Sequence, residues 1–318
     1  MFQDFLNSDQ KIFKLVCGAG NECSQDAERL CALYSLAGCQ VFDICAKPDI
    51  LASAKHGLEI AGIDKNRYIC VSVGIKGDPH TLKAKIDKSI CIKCRKCEQI
   101  CMNDAIKNHT VNTSKCIGCA KCAEVCCYGA AAMYETDMNL NKVLPPIISN
   151  GIDCIELHAS SEFGNDINEK WGIITDNFNG IVSICIDRQN LGNKQLLSQI
   201  KRMIRTRKPY TTIIQADGIP MSGADDNYKT TLQSVAAGEI IQNAELPVYL
   251  VLSGGTNSKT AFLADLCGIN YKGIAVGSWA RKIVREFIKR DDFYDNKTIF
   301  NKALDRAKRL TETVISFL

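Results

Sequence analysis

The sequence lacks several features that would direct it to a membrane, to nucleic acid or out of the cell. No segment approaches the roughly 18 consecutive apolar residues of a transmembrane helix. The first segment, MFQDFLNSDQKIFKLVCGAG, has no basic start followed by a long apolar run, so no signal peptide is expected. The net charge of +4 over 318 residues is too small to indicate a nucleic-acid or membrane partner. These absences favour a cytoplasmic globular protein.

Cysteine, by contrast, is abundant, with 18 residues in the chain. A disulfide scaffold is typical of small secreted proteins, and this chain is neither small nor provided with a secretion signal. Clustered cysteines in a cytoplasmic protein more often bind metal. Eight of them lie between residues 91 and 126 in two copies of the spacing C-x2-C-x2-C-x3-C.

The two cysteine runs predict two [4Fe-4S] clusters. In this spacing three cysteines bind one cluster, and the fourth binds the neighbouring cluster when the run is repeated. One cluster is therefore expected to bind Cys91, Cys94, Cys97 and Cys126, and the other Cys116, Cys119, Cys122 and Cys101. A pair of zinc sites is the alternative, but zinc would use cysteine pairs and has no need of the third cysteine in each run.

The residues that flank the runs resemble the bacterial ferredoxin module. The first run is followed by Asp104-Ala105-Ile106 and the second by Tyr128-Gly129-Ala130, where small residues let the chain wrap a cluster. A proline usually follows the fourth cysteine, but Met102 and Cys127 take those places here. Because proline is not a ligand, cluster binding is expected to survive. Cys127 is a spare thiol that could substitute for Cys126.

The rest of the chain alternates short apolar segments with helical patterns. The predicted strands cover residues 12–17, 40–46, 67–74, 151–159, 180–187, 210–218, 247–255 and 273–278. Eight β-then-α units predict a (β/α)8 TIM-type barrel, with an open doubly wound sheet as the alternative. A ferredoxin-like α+β module at 84–136 then interrupts the barrel after strand three, between residues 1–83 and 137–318. This insertion would lie on the C-terminal face, where barrel active sites are found.

Polar residues near the ends of the predicted strands are candidates for chemistry. Cys154, Glu156 and His158 share one face of the fourth strand, because side chains alternate between faces. Glu156 and His158 suit proton transfer or ligand binding; a structural salt bridge is the alternative. Further candidates for ligand contact or loop capping are Asp43, Cys45, Asp187, Gln215 and Asp217. Residues 218–226 are expected to form a ligand-holding lid.

Glycine-rich turns follow strands seven and eight, where barrels commonly bind phosphate. Gly254, Gly255, Gly277 and Ser278, with Gln215, are therefore candidates for a phosphate or flavin site, although a pair of tight turns would look the same. This leaves two functions open. One is a redox or electron-transfer protein that exchanges electrons with a quinone or a protein. The other is an FMN-dependent oxidoreductase whose clusters relay electrons to the flavin while Glu156 or His158 handles protons.

Four stretches beside the cysteine runs resemble a known family. They are GAGNECSQDAERLCALYSLAGCQVFDICAKPDILASAKHGL, QADGIPMSG, LSGGTNSKTAFLA and GIAVGSWARK, and they resemble the LdpA (light-dependent period) iron–sulfur proteins over nearly the whole chain. The resemblance implies an iron–sulfur protein that senses redox state and signals to partner proteins, as input to the circadian clock of photosynthetic bacteria. It therefore favours redox sensing, with the flavin oxidoreductase as the alternative.

Overall fold

The computed structural model describes residues 1–18, 20–63, 65–136, 138–159, 164–188, 191–219 and 225–315. The first part of the chain forms α1 (Phe2–Asn7), β1 (Ile12–Val16), α2 (Ser24–Leu36), β2 (Val41–Cys45), α3 (Pro48–Ala61) and β3 (Tyr68–Gly74). An insertion follows, with β4 (Leu82–Ile86), α4 (Lys96–Ile100), β5 (Ile106–Lys107), β6 (Thr110–Val111), α5 (Lys121–Glu124) and β7 (Ala131–Glu135).

The remainder of the chain returns to alternating strands and helices. Its elements are α6 (Leu140–Ser149), β8 (Cys154–His158), α7 (Gly164–Asn177), β9 (Ile181–Ile186), α8 (Asn193–Ile204), β10 (Thr212–Asp217), α9 (Tyr228–Gln242), β11 (Tyr249–Ser253), α10 (Thr260–Leu266), β12 (Gly273–Val276), α11 (Ser278–Ile288) and α12 (Lys297–Ile315). Among the described residues, no helix is both long enough and apolar enough to cross a membrane.

Eight parallel strands close into a barrel in the order β1, β2, β3, β8, β9, β10, β11, β12. Closure is direct, because Ile12 of β1 pairs with Gly273 of β12. The predicted (β/α)8 barrel is therefore confirmed, and the open sheet is excluded. The strands read as nearly continuous apolar runs because helices cover their outer face and side chains fill the barrel interior.

The N-terminal end of the barrel is closed by α1. Phe2, Phe5 and Leu6 are buried against the interior side chains at this end, and the ring of Phe2 lies 4.6 Å from that of Tyr68, centroid to centroid. Cys154, at the start of β8, belongs to this same apolar group. The opposite, C-terminal end of the strands is consequently the mouth of the barrel.

The insertion leaves the barrel at the end of β3, on the mouth side. Its strands β4 and β7 pair antiparallel, and so do β5 and β6. The cysteine segment thus lies in the chain between β3 and β8, the third and fourth strands of the barrel.

Candidate functional site

The two cysteine runs adopt the same backbone conformation. Three residues at matched offsets in each run have left-handed φ angles between 48° and 72°: Lys93, Arg95 and Asp104 in the first, and Gly118, Ala120 and Gly129 in the second. Left-handed residues turn successive N–H groups to one side of the chain, which builds the concave anion sites found around iron–sulfur clusters. The runs are thus a structural repeat as well as a sequence repeat.

A backbone amide donates to the sulfur of the fourth cysteine in each run. The Ala105 N–H donates to Cys101 Sγ, and the Ala131 N–H donates to Cys126 Sγ, each at 3.3 Å. The bond from Ala131 lowers the pKa of Cys126. Such bonds stabilise the thiolate, which is the form that binds metal.

The eight cysteines line two separate cavities. Cys91, Cys94, Cys97 and Cys126 line one cavity, and we call them the outer set. Cys101, Cys116, Cys119 and Cys122 line the other, and we call them the inner set. The fourth cysteine of each run therefore joins three cysteines of the other run. The outer set and the inner set each offer four sulfur donors, so the residues present fit a pair of four-iron clusters.

The two sets differ in exposure. Cys94 of the outer set is exposed, as are Ile92 and Tyr128 beside it, whereas Cys116 and Cys122 of the inner set are buried. Cys127 is also exposed and lines the outer cavity. The outer set thus lies towards the surface, and the inner set lies deeper in the insertion.

A buried lysine joins the inner set to the barrel. Lys83 Nζ donates to the carbonyl oxygens of Gly20 at 2.6 Å and Cys116 at 2.9 Å, and it pairs with Glu22 Oε1 at 2.9 Å. Gly20 and Glu22 belong to the loop that follows β1. The backbone of the inner set is therefore held directly against the barrel.

A second ion pair ties the insertion to α11. Asp104, three residues after Cys101, pairs with Arg285 at 2.6 Å and with Lys289. Between these elements lies a cavity lined by Ser278 and Arg281 of α11 and by Asn103 of the insertion, among others. The N-terminus of α11 therefore faces the insertion.

The glycine candidates occupy the expected turns, but Gln215 does not lie with them. Gly254 and Gly255 follow β11 with φ of 69° and 79°, and Gly277 immediately precedes α11. A Cβ on Gly254 would come within 1.6 Å of Asp217 Oδ1, so glycine is required for this close approach. The side chain of Gln215 lies inside the barrel, because alternation along β10 turns it inward.

The predicted lid falls partly outside the described residues, since residues 220–224 are not described. Beyond that gap, Asp226 accepts hydrogen bonds from the backbone N–H and the hydroxyl of Ser258. The loop after β10 is thus attached to the loop after β11.

A lysine that the sequence analysis did not single out lies at the centre of the barrel. Lys14 Nζ is 2.8 Å from Asp43 Oδ2, 2.5 Å from Glu156 Oε2 and 2.9 Å from Gln215 Oε1. Burial lowers the pKa of Lys14, but Asp43 and Glu156 outweigh it and hold the pKa well above its usual value. Lys14 is therefore a permanent cation inside the barrel.

Glu156 is fully buried and is the hub of this network. Besides Lys14, it accepts hydrogen bonds from Ser183 at 2.8 Å and from Gln215 at 3.1 Å. Burial raises the pKa of Glu156, but Lys14 and His158 outweigh it and hold the pKa well below its usual range. Glu156 is thus a buried carboxylate with a full set of partners.

His158 connects this network to the start of the insertion. Its Nε2 lies 3.4 Å from Glu156 Oε1, and its Nδ1 lies 3.4 Å from Asp78 Oδ2. The other oxygen of Asp78 is 2.5 Å from Nδ1 of His80. Asp78 and His80 lie between β3 and β4, where no periodic pattern drew attention to them. Their contacts with His158 place three residues of metal-binding types together at the mouth.

The remaining candidates are buried near the mouth. Asp217 Oδ2 accepts a hydrogen bond from Cys185 at 3.4 Å, while its Oδ1 has no partner among the described residues. Burial raises the pKa of Asp217 to about 6. Asp187 is buried at the end of β9, and Cys45 donates to the carbonyl of Asn21.

Comparisons with known proteins give one family and one fold. A family described as the Light dependent period A C-terminal domain matches residues 146–315. The protein "Light dependent period A" of Synechococcus elongatus is 28% identical over 291 residues, which cover 87% of this chain and 82% of that protein. A tryptophan synthase structure from M. tuberculosis matches with a TM-score of 0.52, at 8% identity, covering 99% of this chain and 96% of that one. At such low identity the structural likeness shows the barrel fold alone.

Proposed function

This chain belongs to the light dependent period A family, and from that premise we propose that it is an iron–sulfur redox protein. In this proposal two [4Fe-4S] clusters exchange electrons with a quinone or a protein. The chain reports the resulting redox state to partner proteins, including clock proteins where the host has a clock. The cytoplasm is its expected location, because 18 cysteines that form no disulfide suit a reducing compartment.

One observation carries the proposal: the eight cysteines fall into two sets of four, each around its own cavity, in the crossed grouping that two clusters require. The repeated left-handed residues and the amide–sulfur bonds support it. Four thiolates would also hold zinc, so the metal must be measured directly.

The arrangement of the two sets suggests a direction for electron flow. The outer set is close to the surface and suits contact with an external donor, whereas the inner set is attached to the barrel through Lys83 and Asp104. Electrons would therefore enter at the outer set and reach the inner set beside the barrel.

Metal analysis after anaerobic purification tests the proposal. We expect about eight irons and eight acid-labile sulfides per chain, with low-temperature electron paramagnetic resonance signals after dithionite reduction. Cys94→Ser and Cys119→Ser should each remove or alter one cluster, in the outer and inner set respectively. Cys267→Ser, at an exposed thiol outside both cavities, should leave the iron content unchanged. Zinc in place of iron, or full iron content in both ligand variants, would refute the proposal.

A flavin-dependent oxidoreductase is the second candidate function, and the cavity at the N-terminus of α11 favours it. Ser278, Arg281 and Lys282 line this cavity and suit a phosphate, while Met102 and Asn103 bring the inner-set loop to its other wall. A phosphorylated cofactor held there would lie beside the inner set. Anaerobic denaturation should then release stoichiometric flavin, measured by fluorescence of the supernatant. A supernatant without flavin would leave the redox protein as the better description.

A further inference from the structure

We propose that Asp78, His80 and His158 form a binding site for one divalent transition-metal ion at the barrel mouth, separate from the two cysteine sets. The ligand atoms of the three residues lie within 4.8 Å of one another. Asp78 and His80 are buried, and His158 is mostly buried, so the donors are held in place by packing. Two imidazoles and one carboxylate suit zinc, iron(II) or manganese(II).

The charges around the site call for a cation. Among the described residues of this network, three buried carboxylates, Asp43, Glu156 and Asp78, lie with one buried ammonium, that of Lys14. Protonation of both histidines could supply the missing charge, but their ring centroids are only 4.2 Å apart, and two imidazolium rings at that distance repel each other. One divalent ion shared by two neutral rings supplies the same charge without that repulsion.

Lys170 is the other cation to consider near this site. Its Nζ bonds the carbonyl of Gly74 at 3.0 Å and lies 3.5 Å from Asp166. Its partners are therefore the carbonyl of Gly74 and the carboxylate of Asp166 on α7. Neither of these contacts is to Asp78, His80 or His158.

The surroundings of His158 match those of a metal ligand. When one ring nitrogen of a histidine binds metal, the other typically donates to a carboxylate that fixes the ring. Here Nδ1 faces Asp78, and Nε2 faces Glu156 at 3.4 Å. Glu156 is itself fixed by Lys14 and Ser183. The ring is thus oriented from the barrel interior with Nδ1 towards the proposed ion.

The end of β3 is shaped to admit the other two ligands. A Cβ on Gly74 would lie 2.4 Å from Asp78 Oδ1 and 2.8 Å from the Cβ of His80. The backbone N–H of His80 also donates to Asp78 Oδ1 at 2.9 Å, which orients the carboxylate. Three protein ligands leave further coordination positions for water or a small ligand, as in catalytic zinc sites.

The test is a metal count on the whole, cluster-containing protein. Anaerobically purified protein is equilibrated with zinc chloride, desalted, and analysed for zinc, manganese, iron and acid-labile sulfide. We expect about one equivalent of zinc, or of iron in excess over sulfide, because four-iron clusters contain the two elements in equal number. His80→Ala and His158→Ala should lose that equivalent while keeping their sulfide content. Glu156→Gln should weaken zinc binding by about 10- to 100-fold.

His56→Ala is the matched control, since His56 also pairs with a carboxylate, Glu28, at 2.8 Å but lies on the surface. This variant should retain the extra metal. Asp78→Asn, which preserves side-chain volume, is the further variant should an alanine substitution prevent folding. Wild-type protein without the extra equivalent, or ligand variants that retain it, would overturn the proposal. Because sulfide is counted separately, loss of the clusters and loss of this site are distinguishable.

Discussion

Replacement of Lys14 by methionine should destabilise the barrel strongly and in a pH-dependent way. Methionine preserves the apolar stem but removes the ammonium that lies between Asp43 and Glu156. Both carboxylates are almost fully buried, with side-chain exposures of 3% and 0%. Removing one partner of a buried ion pair typically costs about 3–5 kcal/mol, because the remaining charge is left uncompensated.

The contacts allow a second, independent calculation of that cost. Without Lys14, burial would keep Glu156 protonated in the folded variant, whereas the unfolded chain would ionise it near its reference pKa of 4.5. At about 1.4 kcal/mol per pH unit, this protonation costs about 3 kcal/mol at pH 7 and under about 1 kcal/mol at pH 5. In wild type the pKa of Glu156 is lowered, so its contribution to stability is present above pH 4.5 and is lost only in stronger acid. The penalty in the variant must therefore grow as the pH rises.

Urea unfolding under argon at pH 5 and pH 7 measures both quantities, with the fluorescence of Trp171 and Trp279 as the signal. Lys11→Met is the control: Lys11 lies just before β1 and bonds the carbonyl of Tyr271, but it pairs with no buried carboxylate. It should change the free energy of unfolding by no more than about 1 kcal/mol at either pH. A loss below about 1 kcal/mol for Lys14→Met at pH 7, or an equal loss at both pH values, would refute the reasoning.

Three further predictions probe separate features. Cys127→Ser should leave iron and sulfide content unchanged, since the outer cavity already has four other cysteines; a reduced content would make Cys127 a ligand. Gly74→Ala should lower the free energy of unfolding by about 1–3 kcal/mol, because the added methyl group overlaps Asp78. Gly172→Ala on α7 is the control: its methyl group meets open space, so it should raise the free energy of unfolding by about 0.5–1 kcal/mol. Thermal midpoints that shift alike in the two variants would contradict this prediction. Asp217→Asn should raise the free energy of unfolding by about 3 kcal/mol at pH 8 but hardly at pH 4. Burial raises the pKa of Asp217 to about 6, so its ionisation destabilises the folded protein as the pH rises, and asparagine removes that cost. Urea midpoints that move equally at both pH values would count against this prediction.

The barrel could be predicted from the sequence because its strands are covered on both faces. Segments such as IFKLVC and RYICVSVG read as apolar runs between helical patterns, and their number fixed the architecture. The crossed grouping of the cysteines is a prediction from the repeated spacing alone. Strand ends were less predictable: the sequence pattern places residues 151–153 and 254–255 in strands, but they lie before β8 and after β11.

The mouth could be predicted only in part. His158 and Glu156 were found by alternation along one strand, which is local information. Lys14 was missed because one lysine in an apolar strand has no visible partner until the barrel closes and brings Asp43 beside it. An assignment of which strand residues face the barrel interior would have identified Lys14 as a candidate. Asp78 belongs to a linker without periodicity, and only the tertiary fold sets such a residue against β8.

The attachment of the insertion bears directly on how a redox signal could reach the barrel. Lys83 bonds the carbonyl of Cys116, an inner-set cysteine, and also pairs with Glu22 in the loop after β1. Asp104 follows Cys101 in the same set and pairs with Arg285 of α11. The Lys83–Glu22 pair is largely buried, whereas Asp104 of the other pair is exposed. An electron added to the cluster proposed at the inner set would alter the field at both pairs. Two elements of the barrel wall would therefore respond to the same charge, without any need for the insertion to move as a separate domain.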